Sequence, residues 1–169
     1  NGDPTTSITN HVLYVNAEQF VQQFLSSCNP QKNTRRDFIH FYQMIDVLII
    51  DDIQFLSGKK AATQEAFFHI FNHLQQSGKQ LIFASDKAPV ELKDMEPRLL
   101  SRFKWGLSAD MQAPDIETRI RILKRKAFND GIELPEDVID YVASRVKSNV
   151  REMEGLFISL IAQSSLNKK

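Results

Sequence analysis

The chain has 169 residues, 42% of them hydrophobic and 12 of them phenylalanine, which excludes a disordered polypeptide and allows one domain with a real core plus a small appendage. Its 21 basic and 21 acidic residues cancel, which excludes a domain dominated by one large basic nucleic-acid surface but not a local basic patch. Cys28 is the only cysteine, so no intrachain disulfide forms and a reducing, cytoplasmic setting fits best; apolar runs of about four residues are far too short to span a bilayer.

The first ten residues, NGDPTTSITN, are polar and turn-rich and read as a loop or a cut end rather than a signal peptide. HVLYV (11–15) is the first strand signal, VLIID (47–51) the second and QLIFAS (80–85) the third; GLSADM (106–111) is a weaker fourth. The first three are short and almost continuously apolar, the pattern of strands covered on both faces. Helical patterns fill the gaps. Asn16 with Gln19 opens one that carries Phe20, Val21, Phe24, Leu25 and Cys28 on one stripe. Thr34 with Asp37 opens a second, and a third runs from about Ala61 to Gln76 with Gly78 at its C-terminal cap. Strands alternating with helices predict a mostly parallel α/β sheet. Beyond Pro114 only helices are expected, at roughly 115–129, 135–147 and 149–165, with Pro135 in the first turn of the second and Asn149 with Glu152 capping the third.

Asp51 and Asp52 are the first candidates for chemistry. They sit side by side where an apolar strand ends, and ligands of parallel sheets bind at the carboxyl ends of strands. Two adjacent carboxylates resist ionising together unless a positive charge lies near. One acid holding Mg²⁺ and its neighbour orienting a water would explain the pair, the Walker B pattern of nucleotide-binding proteins; a turn cap beside a solvated acid is the plainer alternative. Ser85 and Asp86 end the third strand and would share that crevice, or simply form a Ser-Asp turn. In MEPRLLSRF, Pro97 starts a helical turn on which Arg98 and Arg102 share a face, suited to stabilising phosphoryl charge or merely solvated. Arg151 opposes the helix dipole in the first turn after Asn149, which favours an external anion there unless Glu152 and Glu154 neutralise it. The basic stretch TRIRILKRK (118–126) reads as a solvated helix face, and His40, His69, His73 and Cys28 make no metal-ligand set. No stretch matches G-x-x-x-x-G-K-[ST], so the phosphate cradle of a P-loop is missing from this sequence.

Taken in order, VLIIDDIQFL, FASDKAP, PRLLSRFKWGL and SNVREMEG closely resemble the AAA+ ATPase domain of the DnaA family of bacterial replication initiators, from about His11 to Ser165. The resemblance implies an α/β fold, a parallel AAA+ sheet with flanking helices whose first strand and P-loop are missing, followed by a small three-helix lid. It divides the chain into residues 1–113, the partial nucleotide-binding domain, and 114–169, the lid. It makes Asp51 the magnesium residue and Asp52 its catalytic neighbour, Asp86 the first sensor, Arg102 the finger that reads ATP across a subunit interface, Arg98 a second arginine at that interface, and Arg151 the lid sensor. It implies ATP and Mg²⁺ as cofactors, ATP-dependent head-to-tail self-assembly on double-stranded origin DNA, and a grip on single-stranded DNA through the helix near 17–28 and the loop after Walker B. Leu25 and Lys59 fall at those contact positions; a basic residue common two positions after Lys59 is Ala61 here.

Two parts of the family pattern lie outside this sequence, the strand, P-loop and helix that normally precede HVLYV and a C-terminal helix-turn-helix domain. A fragment of the ATPase core is the expected account, binding ATP poorly with its acid pair solvated or salt-bridged and holding no metal. The absent strand belongs between 80–85 and 106–111, so those two segments should not pair directly. The alternatives are a DnaA-like regulator or helicase loader on the same fold, and a degenerate, non-enzymatic AAA+ interaction module.

Overall fold

The computed structural model describes residues 10–29, 34–147 and 149–167; the turn-rich reading of the N-terminus falls on residues 1–9, outside the described residues. The chain divides into two compact units, residues 1–108 and 109–169.

The first unit is built on three parallel strands, β1 (Val12–Asn16), β2 (Val47–Asp51) and β3 (Gln80–Phe83), in the order β1-β2-β3. β2 is central: Asn16 lies opposite Asp51 on one side, and Ile50 opposite Phe83 on the other. Helices α1 (Ala17–Ser27), α2 (Arg35–Gln43) and α3 (Ala61–Gln76) connect the strands, and α4 (Pro97–Phe103) follows β3. Asn16 ends β1 and N-caps α1, its Oδ1 accepting from the Glu18 amide at 2.8 Å, so strand and helix meet without a loop. Thr34 stands at the N-cap of α2 but its side chain makes no capping bond. α3 ends as Gly78 permits: at φ +67° Gly78 donates to the Gln75 carbonyl and the next amide, of Lys79, reaches back to the Leu74 carbonyl at 2.9 Å.

Alternation along the strands decides where the core lies. Val15, Leu48 and Ile50 point to one face and are buried against Phe20, Phe67, Ile70, Leu74 and Leu99 from the helices. Phe20 is the centre of an aromatic cluster, with ring centroids 5.1 Å from Tyr42, 5.3 Å from Phe38 and 5.5 Å from Phe67. The reading of strands covered on both faces is corrected here. On the opposite face Val12 and Tyr14 are 61% and 62% exposed and Ile82 45%. The continuous apolar run therefore marks a surface that no element among the described residues covers.

GLSADM is a second correction. Residues 106–111 form no strand, and Leu107 and Met111 are almost fully exposed. A strand cannot form without a ladder partner, and β3 offers only its edge there.

The second unit contains α5 (Ile116–Asn129), α6 (Glu136–Arg145) and α7 (Val150–Asn167). Asp115 N-caps α5 by accepting from the Thr118 amide, and Asn149 accepts from Glu152 at 2.7 Å before α7. Pro135 sits at the N-cap of α6 rather than inside its first turn. Leu123, Ala127, Ile139, Val142, Met153 and Phe157 form the core of this unit.

Candidate functional site

The carboxyl end of β2 brings polar side chains of three segments together. Asp51 is the last residue of the strand, and its Oδ2 accepts from the Tyr14 hydroxyl of β1 at 2.8 Å. Its Oδ1 accepts from the Asp52 amide at 2.9 Å. That local bond goes with a sharp change of direction, because Asp52 takes left-handed backbone angles, φ 56° and ψ 45°. Asp is among the few non-glycine residues that adopt this conformation readily. The turn points the second carboxylate back over the strand ends, where Oδ2 accepts from Asn16 Nδ2 at 2.7 Å and Oδ1 from Gln54 Nε2 at 2.9 Å. Gln54 in turn accepts from the Ser85 hydroxyl at 3.2 Å. Backbone bonds fix the same junction: the Ile53 amide donates to the Ala84 carbonyl and the Ala84 amide to that of Ile50.

The acid pair is thus not simply solvated. Both carboxylates are half-buried and each oxygen has a neutral donor, which answers part of the repulsion between them. Neutral donors leave the net charge in place, and a carboxylate oxygen has a second lone pair to offer. The donor set is all hard oxygen, from two adjacent carboxylates, and so fits Mg²⁺, which takes one or two carboxylates and completes its shell with water and phosphate. Among the described residues no cluster of three or more His, Cys, Asp and Glu side chains is arranged to cage a metal ion, so a cation here would need ligands beyond protein carboxylates.

Asp86 lies just beyond β3, exposed, on an open groove that Gln54, Ser57, Gly58 and Lys93 also line. Arg98 and Arg102 lie one turn apart on α4 but differ in their surroundings. Arg98 pairs with Glu96 and lays its guanidinium over the Phe68 ring at 4.5 Å. Arg102 is half-buried and makes no ion pair within 4.0 Å among the described residues. Lys59 is exposed in the turn before α3, and Leu25 is 55% exposed on α1. Arg151 belongs to the second unit, exposed in the first turn of α7, where Lys126 takes Glu154 at 3.6 Å.

The family model of the bacterial DnaA ATPase domain matches residues 5–110, more than half of the chain. The chain belongs to this family. It is 66% identical over 158 residues to the chromosomal replication initiator protein DnaA of Flavobacterium psychrophilum, covering 94% of this chain and 32% of that protein. Among solved structures, domain III of the DnaA protein of Thermotoga maritima superposes with a TM-score of 0.89 at 36% identity, covering 97% of this chain and 68% of that one. A replication initiator DnaA bound to AMPPCP and single-stranded DNA gives 0.81 at 42% identity, covering 91% and 46%. The chain therefore spans about a third of the length of the curated DnaA relatives it matches.

Tyr14, Asn16 and Gln54 are the site residues that sequence reasoning missed. Asn16 was legible as a helix cap, but its hold on Asp52 depends on the pairing of β1 with β2, which no local pattern states. Gln54 had one signal, a polar residue two positions after the acid pair on a run that otherwise buries Ile53 and Leu56.

Proposed function

We propose that this chain carries the Walker B and lid portions of an ATP-regulated bacterial replication initiator. The observation that supports it best is the acid pair at the end of the central strand, turned by a left-handed Asp52 and held from both neighbouring segments, in a chain of the DnaA ATPase family. In this reading Asp51 would hold Mg²⁺, which would supply charge neutralisation for phosphoryl transfer when bound. Asp52 accepts a hydrogen bond from the attacking water and keeps it in line. Its other contacts, to Asn16 and Gln54, hold the carboxylate still, so that little reorganisation accompanies the reaction. Asp86 acts as the sensor at the end of β3. Arg151, exposed in the first turn of α7, offers a guanidinium suited to a phosphate. Arg102, which makes no ion pair among the described residues, reaches the nucleotide of a neighbouring subunit in a head-to-tail assembly on origin DNA, with Arg98 a second arginine at that interface. Leu25 and Lys59 contact single-stranded DNA during duplex opening. No stretch of these 169 residues matches the P-loop pattern that would cradle the phosphates.

The test uses a full-length protein carrying this sequence. Asp51→Asn removes charge without changing shape. It should weaken Mg²⁺-dependent ATP binding and abolish hydrolysis, while Asp52→Asn should keep ATP binding and slow hydrolysis by about 10² or more. Equal hydrolysis by Asp52→Asn and the unaltered protein would refute the assignment.

A further inference from the structure

Gln64 is a fully buried amide, 1% exposed, in the first turn of α3 on the face that also buries Phe67, Phe71 and Leu74. Its side chain reaches two separate segments. Nε2 donates to the carbonyls of Leu56 at 2.9 Å and Gly58 at 3.2 Å, in the loop after the acid pair, and to that of Asp94 at 3.1 Å, in the approach to α4. Oε1 accepts from the Glu96 amide at 2.8 Å. Two hydrogens shared by three carbonyls leave no spare donor, and the acceptor is taken as well.

The first segment is the end of a short 3-10 turn (Ile53–Leu56) and the loop that follows it, and the second is the non-helical approach to α4. Asp94 is left-handed at φ 54°, and Glu96 is the N-cap of α4 with no side-chain capping bond. Both segments line one groove, Ser57 and Gly58 from the first and Asp94 from the second, so Gln64 ties together two parts of its lining. The connection continues outward: Glu96 pairs with Arg98, whose guanidinium lies over Phe68, one helical turn after Gln64 on the same helix. On the other side Lys59 follows Gly58 directly.

We infer that Gln64 is a positioning residue that couples the loop carrying Lys59 to the arginine helix α4, so that single-stranded DNA at the loop and ATP read by Arg102 favour one another through it. The inference rests on the proposed function and adds to it the residue through which its two ligands communicate. A glutamine suits the task because one rigid amide can donate to both segments and also accept from one of them; leucine would take this partner from the Leu56 and Asp94 carbonyls and the Glu96 amide, and glutamate would aim charge at three carbonyl oxygens.

The test uses a full-length protein carrying this sequence, fluorescein-labelled dT25 as the probe, and ATP with Mg²⁺. The quantity read is the gain in dT25 affinity when ATP is present. For Gln64→Glu and Gln64→Met the melting midpoint should drop as buried groups lose their partner, but at a temperature where both variants remain folded that gain should fall about tenfold or more with ATP affinity unchanged. Loss of ATP affinity and dT25 affinity in parallel would mean a purely structural residue and overturn the inference, as would an unchanged gain. Hydrogen exchange in the unaltered protein tests the same point without a variant. Binding of dT25 should slow exchange at residues 94–103 as well as 55–60; protection confined to 55–60 overturns the coupling. If the unaltered protein does not bind dT25, the DNA part of the proposed function fails first, visibly and before any variant is made, and the inference falls with it.

Discussion

Asn16 donates its side-chain amide to Asp52 at 2.7 Å across the β1–β2 pair while its carbonyl oxygen caps α1 through the Glu18 amide. One residue thereby sets both the start of a helix and the direction of an acidic side chain. Asn16→Ala should cost about 1–2 kcal/mol in urea unfolding, the size of a lost cap. Asn16→Asp keeps the cap but faces Asp52 with a second carboxylate. It should destabilise the chain at low ionic strength, with the loss shrinking as salt is added. A salt-independent effect would mean that the contact with Asp52 is unimportant.

Asp46, at the opposite end of β2, predicts an acid dependence. The hydrogen bond from Lys79, then the His11 amide, hold its carboxyl at about 2 instead of 3.8. A folded-state value below the unfolded one contributes stability that is fully present above about pH 4 and is lost as the pH falls toward 2. Asp46→Asn should therefore be less stable than the unaltered chain at pH 6, with the difference narrowing from pH 4 downward. Denaturant midpoints across that range measure it, and a constant difference would point to shape rather than charge.

Burial separates two apolar residues of α1. Phe20 is fully buried among Phe38, Tyr42 and Phe67, so Phe20→Ala should cost about 3–5 kcal/mol. Leu25 is 55% exposed, and Leu25→Ala should stay within about 0.5 kcal/mol. If Leu25 contacts single-stranded DNA, the same substitution weakens dT25 binding at unchanged stability. Urea titration and fluorescence anisotropy on one pair of variants decide both points.

The two arginines of α4 should part in the same way. Arg98 is tied to Glu96 and Phe68, so Arg98→Ala loses an ion pair and a cation–π contact, about 1 kcal/mol of stability in all. Arg102→Ala should be nearly neutral for folding and, in an assembled full-length protein, should lower ATP hydrolysis by about 10³. A folding defect from Arg102→Ala larger than that from Arg98→Ala would reverse the assignment.

The elements were legible where a single physical signal governed them. Asn16, Gly78 and Asn149 marked their helix ends because caps are local chemistry, and Val47 to Ile50 read as a strand from apolar character alone. The strand reading of 106–111 failed because pairing is a property of the partner, not of the segment. The exposed side of the sheet failed for a related reason: an apolar run states what a strand would bury, not whether a covering element is at hand. At the site, Asp51, Asp52 and Arg102 stood out as charges in unusual places. Gln64 did not, although a polar residue in register with Phe67, Phe71 and Leu74 on a buried helix face was the signal to find it.

The left-handed turn at Asp52 narrows what inheritance can place there. At φ 56° a glutamate offers the same charge but neither the short reach that suits this conformation nor the present bonds to Asn16 and Gln54. A library randomised at this codon and sorted for folding alone should return glycine, asparagine and aspartate. Sorted for ATP turnover in the full-length protein, it should return aspartate. The backbone thus removes the longer acid before chemistry has a chance to choose between the two.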